Sequence, residues 1–351
     1  KTLCCIGGGV IGLEMACYFA SIGTKVTVIE MMPKIAGSTD PEICELLMRT
    51  YKKQGMDFCL NARVEAVTDR SVVYSDASGR HEIACGRVLL SAGRRADVTG
   101  LNVEARGIAL ERGAVVTDRQ MRTNVPGVWA VGDCNGELML AHTAYREAEV
   151  AVNDMLGKKD AIDYSIIPSV IYTTPEVACV GETEQSAREK GLDVQVVKAP
   201  MALSGRYLAE NPKGTGFCKL LYDRKNRCVV GVHMVGSYVS EIIYGAAMMV
   251  HSKLPVQHLD KIVFPHPTVG EVVREALDFA WETFRDEDPL TQSCELAVEE
   301  VHPQSECLDC GEVFNHDRFH CRCPQCGGAN VRLLHGRELD IASIEIETPD
   351  D

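Results

Sequence analysis

The chain opens with short apolar runs separated by a glycine-rich turn. Residues 2–6 and 25–30 are apolar enough to form buried strands, residues 7–12 read GGGVIG, and residues 13–22 follow a helical pattern. Apolar runs this short, bounded by turn residues, are typical of strands buried on both faces of a parallel sheet. The pattern therefore predicts a strand, a tight turn, a helix and a second strand, in the order of a βαβ unit.

The pattern changes after about residue 164. Residues 194–198, 216–222 and 229–235 predict strands, and residues 238–252 predict one strongly amphipathic helix. We therefore predict an α/β protein whose second part is built differently from its first.

Composition places the chain among folded proteins. Of its 351 residues 46% are hydrophobic and 25% charged, and a chain of this length holds about two to four domains. No apolar run approaches the roughly 18 residues that a membrane helix needs, and no signal-peptide pattern precedes the glycine run. The 16 cysteines lack the dense spacing of a secreted disulfide framework. We expect a protein of the reducing cytoplasm without a membrane span.

Charge is distributed unevenly along the chain. The net charge is −14, and residues 276–351 carry 18 acidic residues against 5 arginines and no lysine. A chain this acidic lacks the basic stripe that binds phosphate backbones, which argues against a nucleic-acid partner. So abrupt a change in charge predicts two differently built parts joined near residue 275.

The glycines of the first turn have the spacing of a phosphate-binding loop. Gly7 permits the tight turn, Gly9 lets the backbone approach a pyrophosphate, and Gly12 lets the helix pack closely on the strand. The helix N-terminus then directs its partial positive charge at the phosphates. A glycine triplet alone often only turns the chain, but here the strand, the helix and a distal carboxylate agree. The sequence predicts a dinucleotide site.

Glu30 is that carboxylate, at the end of the second predicted strand. At this position a carboxylate accepts hydrogen bonds from both hydroxyls of an adenosine ribose and repels a 2′-phosphate. The alternative is a solvated carboxylate at a strand end, without a ligand. The sequence favours NAD over NADP.

Six motifs in a fixed order extend the pattern over roughly residues 1–275. They are GGGVIGLE at 7–14, SAGRR at 91–95, TNVPGVWAVGD at 123–133, MLAH at 139–142, YTTPEVA at 172–178 and HPTVGE at 266–271. In these motifs the chain resembles the pyridine nucleotide-disulfide oxidoreductases, most closely the dihydrolipoamide dehydrogenases. The resemblance implies a Rossmann-type NAD domain at 1–97, a return segment of an FAD domain at 98–162 and an α+β dimerisation domain at 163–274. It also implies a homodimer with each active site built across the interface.

The resemblance further implies which residues hold the two cofactors. Asp133 matches the carboxylate that binds the ribityl chain of FAD, although its residue type alone would indicate a turn or a helix cap. The implied set is Gly7, Gly8, Gly9, Val10, Ile11, Gly12, Leu13, Glu14, Glu30, Val64 and Gly93 for NAD, and Asp133, Met139, Leu140, Ala141 and His142 for FAD.

His266 and Glu271 are the predicted catalytic pair. An imidazole titrates near neutrality, and a carboxylate on one ring nitrogen fixes the tautomer and raises the basicity of the other nitrogen. Such a histidine can take and return a thiol proton, and thiolates rather than thiols attack disulfides. By itself, a histidine between two prolines is more often structural. The match to the family motifs favours a catalytic role for His266 instead.

The chain departs from the family in one respect. Relatives begin with another Rossmann unit, which binds the ADP half of FAD and carries a Cys-x4-Cys redox disulfide. This sequence has no second GxGxxG, its sole cysteine pair at that spacing is Cys321 and Cys326 near the far end, and it begins with Lys1. We therefore expect a fragment that encodes an incomplete catalytic cycle and does not bind FAD tightly.

Two cysteine pairs mark the acidic tail. Cys307 and Cys310 form one CxxCG knuckle, and Cys323 and Cys326 form a second, with twelve residues between the knuckles. Each knuckle can direct two thiolates at one ion while backbone amides donate to sulfur, so two knuckles complete the tetrahedral S4 zinc site of a zinc ribbon. Two disulfides or idle thiols are the alternatives, and Cys321 could replace Cys323 as a ligand. A closed four-cysteine site has no open coordination position, so its predicted role is structural or docking.

The tail also resembles the C-terminal part of the HypA/HybF accessory proteins, which insert nickel into hydrogenases. The likeness rests on both knuckles and on EALDFAW at 275–281, ELAVEEV at 295–301, GRELDI at 336–341 and IEIE at 344–347. The nickel site of that family lies at an N-terminal Met-His-Glu, which does not occur here, so the resemblance does not imply nickel binding. We assign 275–351 to a HypA-like zinc-ribbon domain.

Two functions of different classes follow. The leading hypothesis is an NAD-dependent flavoprotein disulfide oxidoreductase that converts dihydrolipoamide, or a similar dithiol, and NAD to lipoamide and NADH. The alternative is a zinc-binding metallochaperone or maturation adaptor with a non-catalytic NAD-binding portion and a protein partner for its ribbon.

Overall fold

The structure is a computed structural model that describes residues 1–259, 261–287, 302–316 and 321–336. The backbone divides into two compact units, residues 1–287 and 288–351. The motifs at 295–301 and 344–347, and all but the first residue of the GRELDI motif, lie outside the described residues.

A parallel sheet and two helices form the start of the first unit. Its elements are strands β1 (Thr2–Ile6), β2 (Lys25–Ile29), β3 (Asp57–Cys59), β4 (Arg63–Val67), β5 (Ser71–Asp76), β6 (Gly79–Ala84) and β7 (Arg87–Leu90), and helices α1 (Val10–Ser21) and α2 (Pro41–Lys53). Strands β3, β2, β1 and β7 pair in that order and in parallel, whereas β4, β5 and β6 form a separate antiparallel sheet. Parallel strands are buried on both faces, which explains the nearly continuous apolar runs of β1 and β2. The predicted βαβ unit is confirmed, and α1 begins three residues earlier than predicted.

Residues 91–168 connect the parallel sheet to an antiparallel sheet that follows it in the chain. This segment contains one long helix, and its other strands and helical turns are short. A small cluster of buried side chains, including Met121, Val150 and Ile162, anchors that helix. The elements are strands β8 (Leu110–Glu111) and β9 (Ala114–Val115), helix α3 (Ala141–Met155) and two 3-10 turns, Gly132–Asn135 and Tyr164–Ile166.

An antiparallel sheet completes the first unit. Its elements are strands β10 (Ser169–Ile171), β11 (Glu176–Gly181), β12 (Val194–Pro200), β13 (Phe217–Asp223) and β14 (Cys228–Gly236), a 3-10 turn (Met201–Leu203), and helices α4 (Glu184–Glu189), α5 (Gly205–Glu210), α6 (Val239–Ser252), α7 (Val256–Leu259) and α8 (Glu271–Glu287). The strand order is β10-β11-β14-β13-β12, and α6 and α8 pack on this sheet through Ile243 and Leu277. The three predicted strands and the predicted helix are confirmed to within two residues at each end.

The second unit contains a three-stranded antiparallel sheet. Its strands are β15 (Gln304–Cys307), β16 (Val313–Asn315) and β17 (Val331–His335), in the order β16-β15-β17. Among the described residues of this unit, a small buried cluster contains Cys307, Phe314 and Cys323. A cluster of this size stabilises a fold only weakly, and a bound metal commonly adds to the stability of such small folds. The predicted zinc-ribbon fold is confirmed.

Within the ranges that the structure describes, no helix is both long enough and apolar enough to cross a membrane.

Candidate functional site

The glycine turn connects β1 to α1 and packs against the residue that follows β7. Gly7 has φ +105°, and a Cβ on it would lie 2.3 Å from the carbonyl oxygen of Ser91. A Cβ on Gly12 would lie 2.1 Å from the carbonyl oxygen of Gly7. These two positions accept only glycine because the obstructing atoms belong to the backbone.

Gly9 differs from its neighbours because it borders open space. A Cβ on Gly9 would meet no atom within 4 Å. Gly9 is also the N-cap of α1 and has no side chain, so this position supplies no acceptor to the first amides of the helix. A phosphate placed there would accept hydrogen bonds from these amides and meet the positive end of the helix dipole.

The carboxylate of Glu30 lies beside this turn. Its Oε2 accepts a hydrogen bond from the backbone N–H of Gly8 at 2.6 Å, and its Oε1 accepts one from Met32 at 2.8 Å. The two bonds fix the orientation of the carboxylate and leave further lone pairs on each oxygen. The structure therefore brings Glu30 to the glycine turn with acceptor capacity for the hydroxyls of a ribose.

The other residues predicted for NAD occupy different environments. Glu14 accepts a hydrogen bond at 2.8 Å from the backbone N–H of Tyr172, which joins α1 to the segment before β11. Leu13 is 1% exposed and packs in the core, so only its backbone belongs to the turn. Val64 is half-buried against a smaller cluster, and Gly93 has φ +107° and open surroundings. Val10 and Ile11, by contrast, are exposed at the start of α1.

The predicted flavin residues gather around the start of α3. Asp133 is exposed in the 3-10 turn that α3 packs against. Met139 and Leu140 are half-buried, whereas Ala141 and His142 are exposed in the first turn of α3. The Nε2 of His142 lies 2.7 Å from the carbonyl oxygen of Pro168.

A buried glutamate that the sequence analysis missed holds this turn. Glu147 on α3 is fully buried and accepts hydrogen bonds from the backbone N–H of Gly132 at 2.5 Å and from Nδ2 of Asn135 at 2.9 Å. The hydroxyl of Tyr164 is a third donor at 2.7 Å, and burial together with this carboxylate raises the pKa of Tyr164. Glu147 thus holds the backbone amide just before Asp133 and the side chain of Asn135, two residues after it. A glutamate on a helix is normally exposed, so its residue type gave no signal.

His266 and Glu271 form a hydrogen-bonded pair at the start of α8. The Nδ1 of His266 lies 2.7 Å from Oε1 of Glu271, whose Oε2 accepts the backbone N–H of Thr268 at 2.8 Å. Burial would raise the pKa of Glu271, but the contacts with His266 and the Thr268 amide outweigh it and lower that pKa. The carboxylate is therefore ionised and orients the ring. The His266 side chain is 79% exposed, so its Nε2 is accessible.

Four thiols converge in the second unit. Sγ of Cys307 lies 3.6 Å from that of Cys326, Sγ of Cys310 lies 3.5 Å from that of Cys323, and all four lie within 4.8 Å of one another. Zinc–sulfur bonds of about 2.3 Å in a tetrahedron place sulfurs about 3.8 Å apart. The donor set and spacing thus fit a zinc ion. Cys321 lies outside this group in the part of the ribbon that the structure describes.

The two knuckles have matching backbone turns. The N–H of Gly311 donates to the carbonyl of Cys307 at 2.8 Å, and the N–H of Gly327 donates to that of Cys323 at 2.9 Å, both glycines having positive φ. Burial raises the pKa of Cys323, but backbone amides and the neighbouring thiols bring it down to about 7. Backbone amides lower the pKa of Cys310 and of Cys326, but burial and the neighbouring thiols outweigh them and raise both, so of these three thiols Cys323 alone is drawn toward the thiolate form that metal binding requires.

Profiles of known families match both units. The pyridine nucleotide-disulphide oxidoreductase profile matches residues 1–148, and the profile of that family's dimerisation domain matches residues 167–277. The chain belongs to the pyridine nucleotide-disulphide oxidoreductase family. A further profile, that of the HypA metallochaperone of hydrogenase and urease nickel incorporation, matches residues 236–346. Both resemblances inferred from the motifs are confirmed, and the HypA match begins well before residue 275.

Curated relatives of this chain include several dihydrolipoyl dehydrogenases. The enzyme of Rhizobium etli is 34% identical over 285 residues, covering 79% of this chain and 59% of the relative. Dihydrolipoyl dehydrogenase 3 of Pseudomonas putida is 36% identical over 282 residues, covering 79% and 60%. The chain thus spans about three fifths of the length of the relatives it matches.

Solved structures of the family share the fold. LpdA from Mycobacterium tuberculosis superposes with a TM-score of 0.74 at 26% identity, over 80% of this chain and 61% of that one. The HOCl-induced flavoprotein disulfide reductase RclA from Escherichia coli, as its Cu(II) complex, gives 0.71 at 29% identity, over 79% and 64%.

Two glycine substitutions separate packing from ligand access in the glycine turn. Gly12→Ala forces a Cβ against backbone, so we expect the free energy of unfolding to fall by about 1–3 kcal/mol. Gly9→Ala points into open space, so stability should change by less than about 0.5 kcal/mol while NADH binding weakens. Thermal denaturation and calorimetric titration with NADH measure the two effects. Gly9→Ala protein that binds NADH as tightly as wild type would contradict this assignment.

The four-thiol site is tested by elemental analysis. Protein purified without chelator should contain about one zinc per chain, because the thiols match a closed tetrahedral site. Cys310→Ser should lose the metal, and Cys321→Ser is the matched control that should retain it. Less than half an equivalent of zinc in the wild-type protein would count against the site.

Proposed function

We propose that this chain provides the NAD-binding and dimerisation parts of an NAD-dependent disulfide oxidoreductase that acts on dihydrolipoamide or a similar dithiol. The observation that carries the proposal is the glycine turn with Glu30 hydrogen-bonded to Gly8. The motif order and the relatives named dihydrolipoyl dehydrogenase support the substrate class. Because the chain spans about three fifths of these relatives, the full reaction is a proposal.

NAD would lie across the turn. The first amides of α1, next to Gly9, would bind the diphosphate, and Glu30 would bind the adenosine ribose. NAD, when bound, supplies the nicotinamide that accepts hydride. The chain contributes position and electrostatics: the packed glycines bring the backbone close, and the carboxylate excludes a 2′-phosphate.

FAD would lie beside the start of α3. Asp133 is an exposed carboxylate on a turn that Glu147 fixes, and it suits the hydroxyls of a ribityl chain. Met139 and Leu140 add half-buried apolar surface for the ring system. FAD, when bound, carries electrons between a dithiol and the nicotinamide.

His266 would be the proton acceptor for the dithiol. Glu271 holds Nδ1, so the neutral ring presents Nε2 as a base to the surroundings. Taking a thiol proton leaves a thiolate, which is the form that attacks a disulfide, and Glu271 would stabilise the resulting imidazolium. The disulfide attacked, and reduced to two thiols as the substrate dithiol is oxidised, would be the Cys-x4-Cys pair of the family's N-terminal segment. His266 would return the proton when the thiolate is consumed.

A homodimer would complete this site. The matched dimerisation domain indicates such an assembly. Large apolar side chains close to His266 or on α6 are exposed, including Val263 at 88%, Tyr244 at 68% and Met248 at 66%. Burying such exposed apolar side chains at a subunit interface is favourable. An apolar cavity of about 450 Å³ lies beside Tyr244, lined by residues of α6 and by both neighbours of His266.

The HypA match supports a second candidate function. Under this proposal the chain is a maturation adaptor whose zinc ribbon docks a protein partner, and its oxidoreductase portion only binds NADH. The four-thiol cluster and the 236–346 match favour it. Zinc in a closed four-cysteine site acts structurally because no coordination position is open to a substrate.

Turnover separates the two candidates. Combined with FAD and with the disulfide-bearing N-terminal segment of a relative, the chain should form NADH from dihydrolipoamide and NAD, and His266→Ala should lower the rate by about 10²–10⁴-fold because it removes the base. His251→Ala, an exposed histidine on α6 without an assigned role, is the control. Absence of NADH formation by the wild-type chain would favour the adaptor.

Coenzyme choice is a separate test of Glu30. Calorimetry should show NADH binding at least about tenfold more tightly than NADPH, since the carboxylate repels a 2′-phosphate. Glu30→Gln keeps the side-chain shape but removes the charge, so it should reduce the difference in affinity between NADH and NADPH. Equal affinities of the wild-type protein for both coenzymes would refute the assignment.

A further inference from the structure

A buried ion-pair cluster joins the NAD domain to the antiparallel sheet. Lys219 on β13 has a side chain 1% exposed, and its Nζ lies 2.9 Å from Oδ2 of Asp40 and 2.8 Å from Oε1 of Glu184. Glu42 adds a third carboxylate oxygen at 3.3 Å. An ammonium group has three N–H donors, so these partners satisfy it. Removing Lys219 would leave the buried carboxylate of Asp40 without a counter-charge, which is strongly unfavourable.

Asp40 has two roles at once. It is 1% exposed and caps α2, with Oδ1 accepting the backbone N–H of Glu42 at 2.9 Å and of Ile43 at 3.4 Å. The other oxygen, Oδ2, is the one that contacts Lys219. The start of α2, and with it the end of the preceding loop, is therefore attached to the core of the antiparallel sheet.

The loop from Glu30 to Asp40 leads back to the glycine turn. Near its beginning, Glu30 accepts the N–H of Gly8 at 2.6 Å, and further along, the N–H of Ala36 donates to the carbonyl of Gly8 at 2.8 Å. Ile35, which is fully buried, lies 3.3 Å from where a Cβ on Gly8 would be. One loop thus holds both the N–H and the carbonyl of Gly8.

The backbone conformation of Ala36 indicates that surrounding contacts hold this loop in place. It has φ +61° and is 3% exposed, in a backbone region that alanine rarely adopts. Such a conformation persists only where surrounding contacts determine it. The N–H of Thr39 donates to the carbonyl of Ala36 at 3.1 Å, so a tight turn links Ala36 to the residue before Asp40.

We propose that Lys219 is a positioning residue for the dinucleotide site. By pairing with Asp40 it fixes the loop, and through Ala36 and Glu30 the loop fixes the Gly8 peptide in the turn that would bind the diphosphate. The inference rests on the proposed NAD site, and it assigns to the antiparallel sheet a part in shaping that site.

A second lysine on the same sheet provides a matched control. Lys198 on β12 forms an ion pair with Glu42, but the two side chains are 46% and 47% exposed. Exposed pairs contribute little, and Lys198 has no contact with Asp40 among those of the described residues. Lys198→Met therefore removes a lysine from the same interface without disturbing the loop.

The experiment compares Lys219→Met with Lys198→Met in the full chain. We expect the Kd for NADH of Lys219→Met, measured well below its melting temperature, to rise by about tenfold, the size of effect that remote positioning residues have. Hydrogen exchange at the Ala36 amide should accelerate, whereas exchange in the core of β13 should not. Lys198→Met should match wild type in both measurements.

The double variant Asp40→Asn, Lys219→Met keeps the inference testable if Lys219→Met alone does not fold. It removes both buried charges, and asparagine caps a helix about as well as aspartate does, so the variant should fold and still show weakened NADH binding and faster Ala36 exchange. Unchanged affinity and exchange in both variants, even with a lower melting temperature, would overturn the inference and leave the proposed function intact. A wild-type chain that does not bind NADH would instead contradict the proposed function, and the exchange rates alone would then decide the role of Lys219.

Discussion

Backbone-to-backbone contact at the glycine turn is the constraint on which the first unit depends. Gly7 packs against the Ser91 carbonyl and Gly12 against the Gly7 carbonyl, at distances that no side chain tolerates. This contact brings the end of β7 against the turn and leaves Gly9 beside open space. The proposed dinucleotide site, the hydrogen bond of Glu30 and the proposed role of Lys219 all concern this one packed turn.

Features whose partners are close in sequence could be predicted. The βαβ unit and the two cysteine knuckles are local patterns, and the structure shows the βαβ unit and a cluster of all four thiols. His266 and Glu271 are five residues apart, so their hydrogen bond was also within reach of sequence reasoning.

Buried polar groups whose partners are distant in the sequence could not be predicted in the same way. Lys219 pairs with a residue 179 positions away, and Glu14 with one 158 positions away. Lysine and glutamate are normally exposed, so a sequence gives no sign that a particular one is buried. Glu147 belongs to the same class. Each of these groups joins elements that only the folded chain brings together.

Helix α8 connects the two family resemblances. It begins with Glu271, which orients His266, and it buries Ala276, Leu277 and Ala280 in the core of the antiparallel sheet. These three residues lie in the EALDFAW motif that suggested HypA. In this chain that segment stabilises the oxidoreductase unit, whereas the four-thiol cluster lies wholly within the second unit.

A crystal structure of this chain soaked with NADH tests directly whether the glycine turn binds a dinucleotide. We expect electron density for the diphosphate against Gly9 and the first turn of α1, with the adenosine ribose hydroxyls on the Glu30 carboxylate. Density elsewhere, or a turn that stays empty at saturating NADH, would contradict it.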